Sequence, residues 1–276
     1  MAKKKRLPTL WEVPDELWER IEPLLEELDP PKSTGRPRVD PRRILDALIF
    51  RFRTGCQWNH IPRIFGDDAT IHRTFQRWRK RGVFTQIWAL LIEECEELGA
   101  VDWQWQAADA ALGKARCGGD KIGPNPTDRA KNGTKHSVLT EAGGGPLAVV
   151  VDAANVHDTK LLEPTLEAIV VPRPMPTEAQ PQHLCLDKGY DNPTGEAAVH
   201  THGYIGHIRR IGEEKADAKT KTKHKPRRWV VERTLAWLSK CRGILVRYEK
   251  KAENYLAMIQ FACALLWYRR LAYSSF

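Results

Sequence analysis

No apolar run in these 276 residues approaches the roughly 20 that a membrane span needs; the longest, such as Ala262 to Tyr268, stop far short. The opening Met-Ala-Lys-Lys-Lys-Arg has no apolar segment behind it, so a secretory leader is not expected. Six cysteines (Cys56, Cys95, Cys117, Cys185, Cys241, Cys263) contain no CxxC pair and no CxxH cluster. Structural zinc lacks its close ligand pairs, and reduced thiols are the simpler reading. Internal repeats are absent as well. What is present is ordinary for a globular chain, 42% hydrophobic and 29% charged residues, which argues against disorder. The expectation is a soluble cytoplasmic protein with no membrane partner, long enough for one large domain or two smaller ones.

Net charge is +9, and it is unevenly spread. From Tyr204 to Lys251 there are fifteen Lys/Arg and five Asp/Glu, a local balance of +10, so the remainder is close to neutral. A concentrated basic segment suits a polyanion, because each neutralised phosphate releases counterions. Lys221, Lys223, Lys225, Arg227, Arg228, Arg233 and Lys240 are the candidate contacts there; a solvated loop is the alternative.

Residues 1–98 read as nearly all helix. Leu17, Ile21, Leu24, Leu25 and Leu28 recur at helical spacing after Pro14 and Asp15, and a breaker-rich linker runs to Val39. Asp40 is suited to cap a helix through Phe52 that ends at Gly55. Two short segments follow, Trp58 to Phe65 and Ala69 to Arg81, with Gly66 for the turn and Asp68 as cap. That is a helix-turn-helix layout, whose second helix enters the DNA major groove. Its Ile71, Phe75 and Trp78 form an inward stripe, leaving Arg73, Gln76, Arg77 and Lys80 as donors for phosphates and base edges. An ordinary amphipathic helix with a basic outer face is the competing reading. A last helix spans Val83 to Leu98.

Beyond Gly99 the pattern changes. Val101 to Asp109 reads as a strand, and Lys135–Glu141 with Pro146–Ala153 as a hairpin about Gly143-Gly144-Gly145. Asp158–Val170 then reads as helix, His183–Asp187 as strand, Pro193–His202 as helix and Tyr204–Ile208 as strand. Helices over Arg227–Cys241 and Glu253–Tyr273 close the chain. An α/β core of three antiparallel strands extended by parallel ones follows. The expected division is a helical DNA-binding part, 1–98, and a catalytic part, 99–276.

Two acids stand where strands should end, Asp109 and Asp187, and functional side chains converge at such ends. A carboxylate at a buried edge is costly unless it is paired or metal-bound. Glu232 lies on a helix whose apolar face is Val231, Leu235 and Leu238, placed to aim back at the sheet. Three carboxylates from separate elements can hold two Mg²⁺ or Mn²⁺ ions about 3.5–4 Å apart, the arrangement for in-line phosphodiester displacement. Asp191 is the main rival to Asp187 and otherwise caps the next helix; Asp102 ranks below Asp109. Asp152, Asp158 and His157 flank a polar strand end with structural readings. Trp229 and Trp237 are core-packing residues or stacking surfaces for a base.

The words around these acids carry a resemblance. Arg-Thr-Gly-Cys-Gln-Trp (53–58), Ala-Asp-Ala-Ala-Leu-Gly-Lys-Ala-Arg (108–116), Gly-Pro-Asn-Pro-Thr-Asp-Arg (123–129) and Gly-Thr-Lys-His (133–136) come first. Ala-Asn-Val-His-Asp (154–158), Leu-Asp-Lys-Gly-Tyr-Asp (186–191), Arg-Trp-Val-Val-Glu-Arg-Thr-Leu-Ala-Trp-Leu (228–238) and Val-Arg-Tyr-Glu (246–249) follow in order. Together they resemble the DDE transposases of bacterial insertion sequences, specifically the insertion sequence five group. The resemblance implies an RNase H-like catalytic core behind a helical DNA-binding region. It makes Asp109, Asp187 and Glu232 the metal-binding acids and Arg228 the arginine of a Tyr-x2-Arg-x3-Glu-x6-Lys signature. Lys225 and Ser239 stand at that signature's tyrosine and lysine positions, so those two roles do not transfer; Lys240 or Arg242 could supply the charge.

The implied function is binding of terminal inverted repeats, metal-dependent cleavage and strand transfer, on double-stranded DNA at the nucleoid. Strand transfer needs two ends held together, so a homodimer or higher oligomer is expected with DNA. A DNA-binding relic or repressor without catalysis is the alternative, and a two-metal nuclease without joining is a third.

Overall fold

A computed structural model describes residues 9–35, 37–208 and 228–273. The N-terminal part is helical: α1 (Asp15–Leu28), α2 (Pro41–Thr54), two 3-10 turns (Trp58–His60 and Arg63–Phe65), α3 (Asp68–Lys80) and α4 (Val83–Glu97). Asp40 caps α2 through the Arg42 N–H, and Gly55 ends it in the left-handed region at φ 69°. The expected first helix of the helix-turn-helix is instead the pair of 3-10 turns, because Pro62 interrupts the segment. The α3 cap is Asp67 rather than Asp68, its carboxylate accepting from the Thr70 N–H at 2.9 Å.

The sheet follows in β1 (Trp105–Ala115), β2 (Gly123–Pro124), β3 (Asn132–Glu141), β4 (Pro146–Ala153), β5 (His183–Leu186), β6 (Ile205–Ile208) and β7 (Val246–Arg247). Its main order is β4–β3–β1–β5–β6, antiparallel through β4, β3 and β1 and parallel from β1 to β6. That order, flanked by helices, is the expected α/β core of three antiparallel strands extended by parallel ones. The helices are α5 (Asp158–Glu167), α6 (Pro193–Thr201), α7 (Trp229–Ser239), the single turn α8 (Arg242–Leu245) and α9 (Ala252–Tyr273). The α6 cap is Asn192, accepting from Gly195, and not Asp191.

β1 differs most from expectation. It begins at Trp105 and runs six residues past Asp109, pairing Ala110 with Ser137 through Lys114 with Gly133. Asp109 is therefore in mid-strand, not at a strand end.

One hydrophobic cluster runs from Leu10 to Tyr268, and α4 and α9 pack together within it. The core thus crosses the 98/99 division without a break. Trp88 of α4 and Trp267 of α9 both donate their indole N–H to the Pro146 carbonyl, at 3.0 and 2.6 Å. Arg247, 1% exposed, spreads its guanidinium over the carbonyls of Asp120, Lys121, Glu249 and Lys250 and the Thr134 hydroxyl. Two residues on, Glu249 meets Arg51 of α2 in a buried pair at 2.5 Å. The Val-Arg-Tyr-Glu word is a staple between the sheet and the N-terminal helices. No described helix is long and apolar enough to cross a membrane.

Candidate active site

β1 and β5 pair in parallel with Ala107 opposite Cys185. Carrying that register on by two residues sets Asp109 beside Asp187 on one face of the sheet. Asp187 follows the last residue of β5 and caps the 3-10 turn Lys188–Tyr190, its Oδ1 accepting from the Lys188 N–H at 2.7 Å. Asp109 accepts likewise from the Ala110 N–H at 2.8 Å. The third acid comes from α7, which lies across β1 and β3.

A socket in the β3–β4 turn fixes α7 there. The Thr234 hydroxyl donates to the Gly144 carbonyl at 2.6 Å, and Arg233 reaches the Gly143 carbonyl at 2.5 Å. The turn itself is held by Glu141, fully buried, whose carboxylate accepts from the N–H groups of Gly143 and Gly145 and pairs with Arg270 at 2.6 Å. Neither Glu141 nor Thr234 was singled out from sequence. The three glycines alone signalled the turn; the burial of the acid that holds it is visible only in the structure.

Arg228, at the N-cap of α7, joins the acids: Nη1 lies 2.6 Å from Asp187 and Nη2 2.9 Å from Glu232. Burial pushes the Asp109 carboxyl above its ordinary range. The Ala110 N–H and Arg228 pull it back, while Asp187 and Glu232 push it further up. Three carboxylates thus share one arginine. The structure brings all three expected acids into one electrostatic neighbourhood, though not into one tight cluster. Among the described residues, the set of three ligand atoms within 4.8 Å of one another is Glu163, Glu167 and His202.

The neighbouring acids are engaged elsewhere. Asp158 pairs with Lys135 at 2.6 Å, Asp152 lies 3.8 Å from Lys121, and Asp102 accepts from the Gln104 N–H. His157 caps α5 through Thr159. On α3, Arg73 and Lys80 are exposed, Gln76 hydrogen-bonds His72, and Arg77 grips Asp29. Arg233 is sandwiched between Trp229 and Trp237, 4.6 and 4.8 Å from their ring centres, and Lys240 is exposed. Lys221, Lys223, Lys225 and Arg227 lie outside the described residues.

The description "Putative transposase of IS4/5 family" matches residues 13–88, and "Transposase DDE domain" matches residues 93–267. The chain is 37% identical over 163 residues to the "Putative transposase for insertion sequence element IS402" of Burkholderia cepacia, covering 56% of this chain and 72% of that one. It is 31% identical over 118 residues to a 16.2 kDa insertion element IS402 protein of Burkholderia cepacia, covering 41% of this chain and 80% of that protein. Among solved structures, a Mos1 mariner paired-end complex with Mn aligns over 98% of this chain and 89% of that one. Its TM-score is 0.26 at 10% identity, too low to bear on fold or function.

Proposed function

Because the chain belongs to the DDE-domain transposases, we propose that it binds the ends of an insertion sequence and cuts and joins DNA at Asp109, Asp187 and Glu232. The observation that supports this most is Arg228 bridging Asp187 and Glu232, with Asp109 alongside in the β1–β5 register. The residues suit divalent ions. All three donors are carboxylate oxygens, the ligand type of Mg²⁺ and Mn²⁺. Burial raises the Asp109 carboxyl, and a bound divalent ion would offset the cost of charging it there. Two such ions would stabilise the attacking and leaving oxygens of an in-line phosphodiester displacement.

The chain's own groups supply position. The Ala110 and Lys188 N–H groups fix one oxygen each of Asp109 and Asp187, leaving the other available as a ligand. Arg228 holds the second and third acids in register from two nitrogens of one planar group. In the first step a water oxygen attacks the phosphorus and the 3′ oxygen leaves, giving a 3′ hydroxyl and a 5′ phosphate. In the second, that hydroxyl attacks a target phosphodiester and displaces its 3′ oxygen. Arg73, Gln76 and Lys80 face the duplex from α3, and Lys240 caps the C-terminal end of the helix that carries Glu232. Joining needs two ends, so the working form on DNA is a dimer or higher oligomer, at the nucleoid.

The test is cleavage of a duplex carrying the element's end, with Mg²⁺ or Mn²⁺, by wild type and Asp187→Ala. Wild type should cut and the variant should not. Equal cutting by both would remove the assigned site. Tight binding without metal-dependent cutting by wild type would favour the catalytically inactive relic.

A further inference from the structure

Asp29 follows α1, and its side chain is only 5% exposed. Three guanidiniums lie over it. Arg77 of α3 grips both carboxylate oxygens, with Nε 3.0 Å from Oδ1 and Nη2 2.8 Å from Oδ2. Arg81, just past α3, gives Nη1 at 2.7 Å, and Arg38 comes in from the linker between α1 and α2. The Trp78 indole N–H donates to the same carboxylate at 2.8 Å. Burial alone would raise the Asp29 carboxyl. Hydrogen bonds from Arg77 and Trp78 and the charges of Arg77 and Arg38 outweigh it and hold the group below its ordinary range.

A single structural ion pair needs one arginine, yet here three share one carboxylate, a local surplus of two positive charges. The C-terminal ends of α1 and α3 each contribute about half a negative charge, and Arg38 and Arg81 also donate to the Leu28, Asp29 and Pro30 carbonyls at the α1 end, so about one positive charge is left over. The layering sets the direction. The Arg38, Arg77 and Arg81 side chains are 24%, 31% and 40% exposed above a nearly buried anion. Nη1 of Arg77 and Nη2 of Arg81 make no hydrogen bond among the described residues. Arg73, Arg77 and Arg81 also succeed one another at four-residue spacing, so the cluster continues the exposed basic row of α3.

We propose that Arg38, Arg77 and Arg81, organised over Asp29, form a seat for one DNA backbone phosphate beside α3. The proposal rests on the reading that α3 faces DNA. Asp29 is the positioning residue: it restrains three long side chains before the phosphate arrives, so less freedom is lost on binding. Planar guanidiniums suit phosphate oxygens, and the contact carries no base information.

The experiment is fluorescence anisotropy on the full chain, titrated with KCl. One duplex carries the element's terminal sequence, and the other is scrambled at equal length. On both duplexes Arg81→Gln should lower the slope of log affinity against log salt by about 0.9, and Arg81→Lys should keep it. Relative to 1 M salt, that slope change is about an eightfold loss at 0.1 M. Arg38→Gln should repeat the result, and it serves if Arg81→Gln unfolds by circular dichroism. An unchanged slope in both Gln variants overturns the seat, as does a loss confined to the terminal sequence, which would mark a base contact. Wild type that cuts DNA while the variants keep the slope leaves the transposase reading standing and the seat gone. Wild type that binds with the expected variant loss but cuts nothing does the reverse. Failure of wild type to bind either duplex overturns both.

Discussion

Arg228 serves two carboxylates at once, Nη1 for Asp187 and Nη2 for Glu232. A lysine ammonium is a point charge on a flexible stem and cannot reproduce two fixed directions. Arg228→Lys should therefore slow end cleavage about 10- to 100-fold, as loss of an orienting partner to metal ligands does. Full cleavage by Arg228→Lys in a rate assay at saturating Mg²⁺ would refute the bridging role. His136 offers a test of stability instead. It is fully buried on β3, with no hydrogen-bond partner for either ring nitrogen, and burial lowers its pKa to about 4. Unfolded, it would titrate near 6.5. Between those values the unfolded chain binds the extra proton, so stability is intact above pH 6.5 and lost as pH falls. About 1.6 kcal/mol should go between pH 6.5 and 5, the slope steepening towards roughly 1.4 kcal/mol per unit. Urea unfolding at the two pH values checks this, and His136→Leu should flatten the dependence.

Elements, unlike these contacts, were largely legible in the sequence. Apolar spacing marked α2, α3, α4 and α9, and the three-glycine turn marked the β3–β4 hairpin, because both signals are local. The strand expected to end at Asp109 runs on: Ala110 to Ala115, with Leu112 and Lys114 among small residues, shows no alternation, and its strand state comes from pairing with β3. Both mistaken caps, Asp68 and Asp191, were acids next to the residue whose side chain reaches the helix N–H groups. As candidates, Asp187 could be read from its strand end and flanking words, Asp109 only from its flanking words since it lies in mid-strand, and Glu232 from the resemblance. Helical periodicity does not say what a helix leans on. The support is the Thr234–Gly144 bond two residues from Glu232, a contact across 90 positions. Thr234→Val keeps shape but removes the donor to a buried carbonyl. It should cost about 1–3 kcal/mol in urea unfolding and slow cleavage with it, since α7 loses its socket. A destabilised variant that cuts at the wild-type rate would show that α7 is placed by its apolar face alone.

At the scale of the whole molecule, the division at 98/99 separates two kinds of sequence but not two cores. Arg51 of α2 and Glu249 beyond β7 form a pair with side chains only 5% and 8% exposed. Arg51 also faces the Met258 sulfur at 3.1 Å and lies over the Trp58 ring at 4.0 Å. The arginine therefore ties α2 to the first 3-10 turn and to α9. A rigid body of this kind fixes the distance from α3 to the acids by packing rather than by a linker. Unfolding should therefore be cooperative across both parts. Arg51→Ala leaves the Glu249 carboxylate buried without its partner, at a cost of about 3–5 kcal/mol. Replacing both residues with apolar groups of similar volume should recover most of that loss, because it removes the uncompensated charge. The measurement is urea unfolding followed by far-UV and near-UV circular dichroism. Single transitions should coincide in wild type and shift together in Arg51→Ala. A variant that loses helical signal first while the near-UV signal keeps its wild-type midpoint would mean that the N-terminal helices are hinged to the sheet, not built into it.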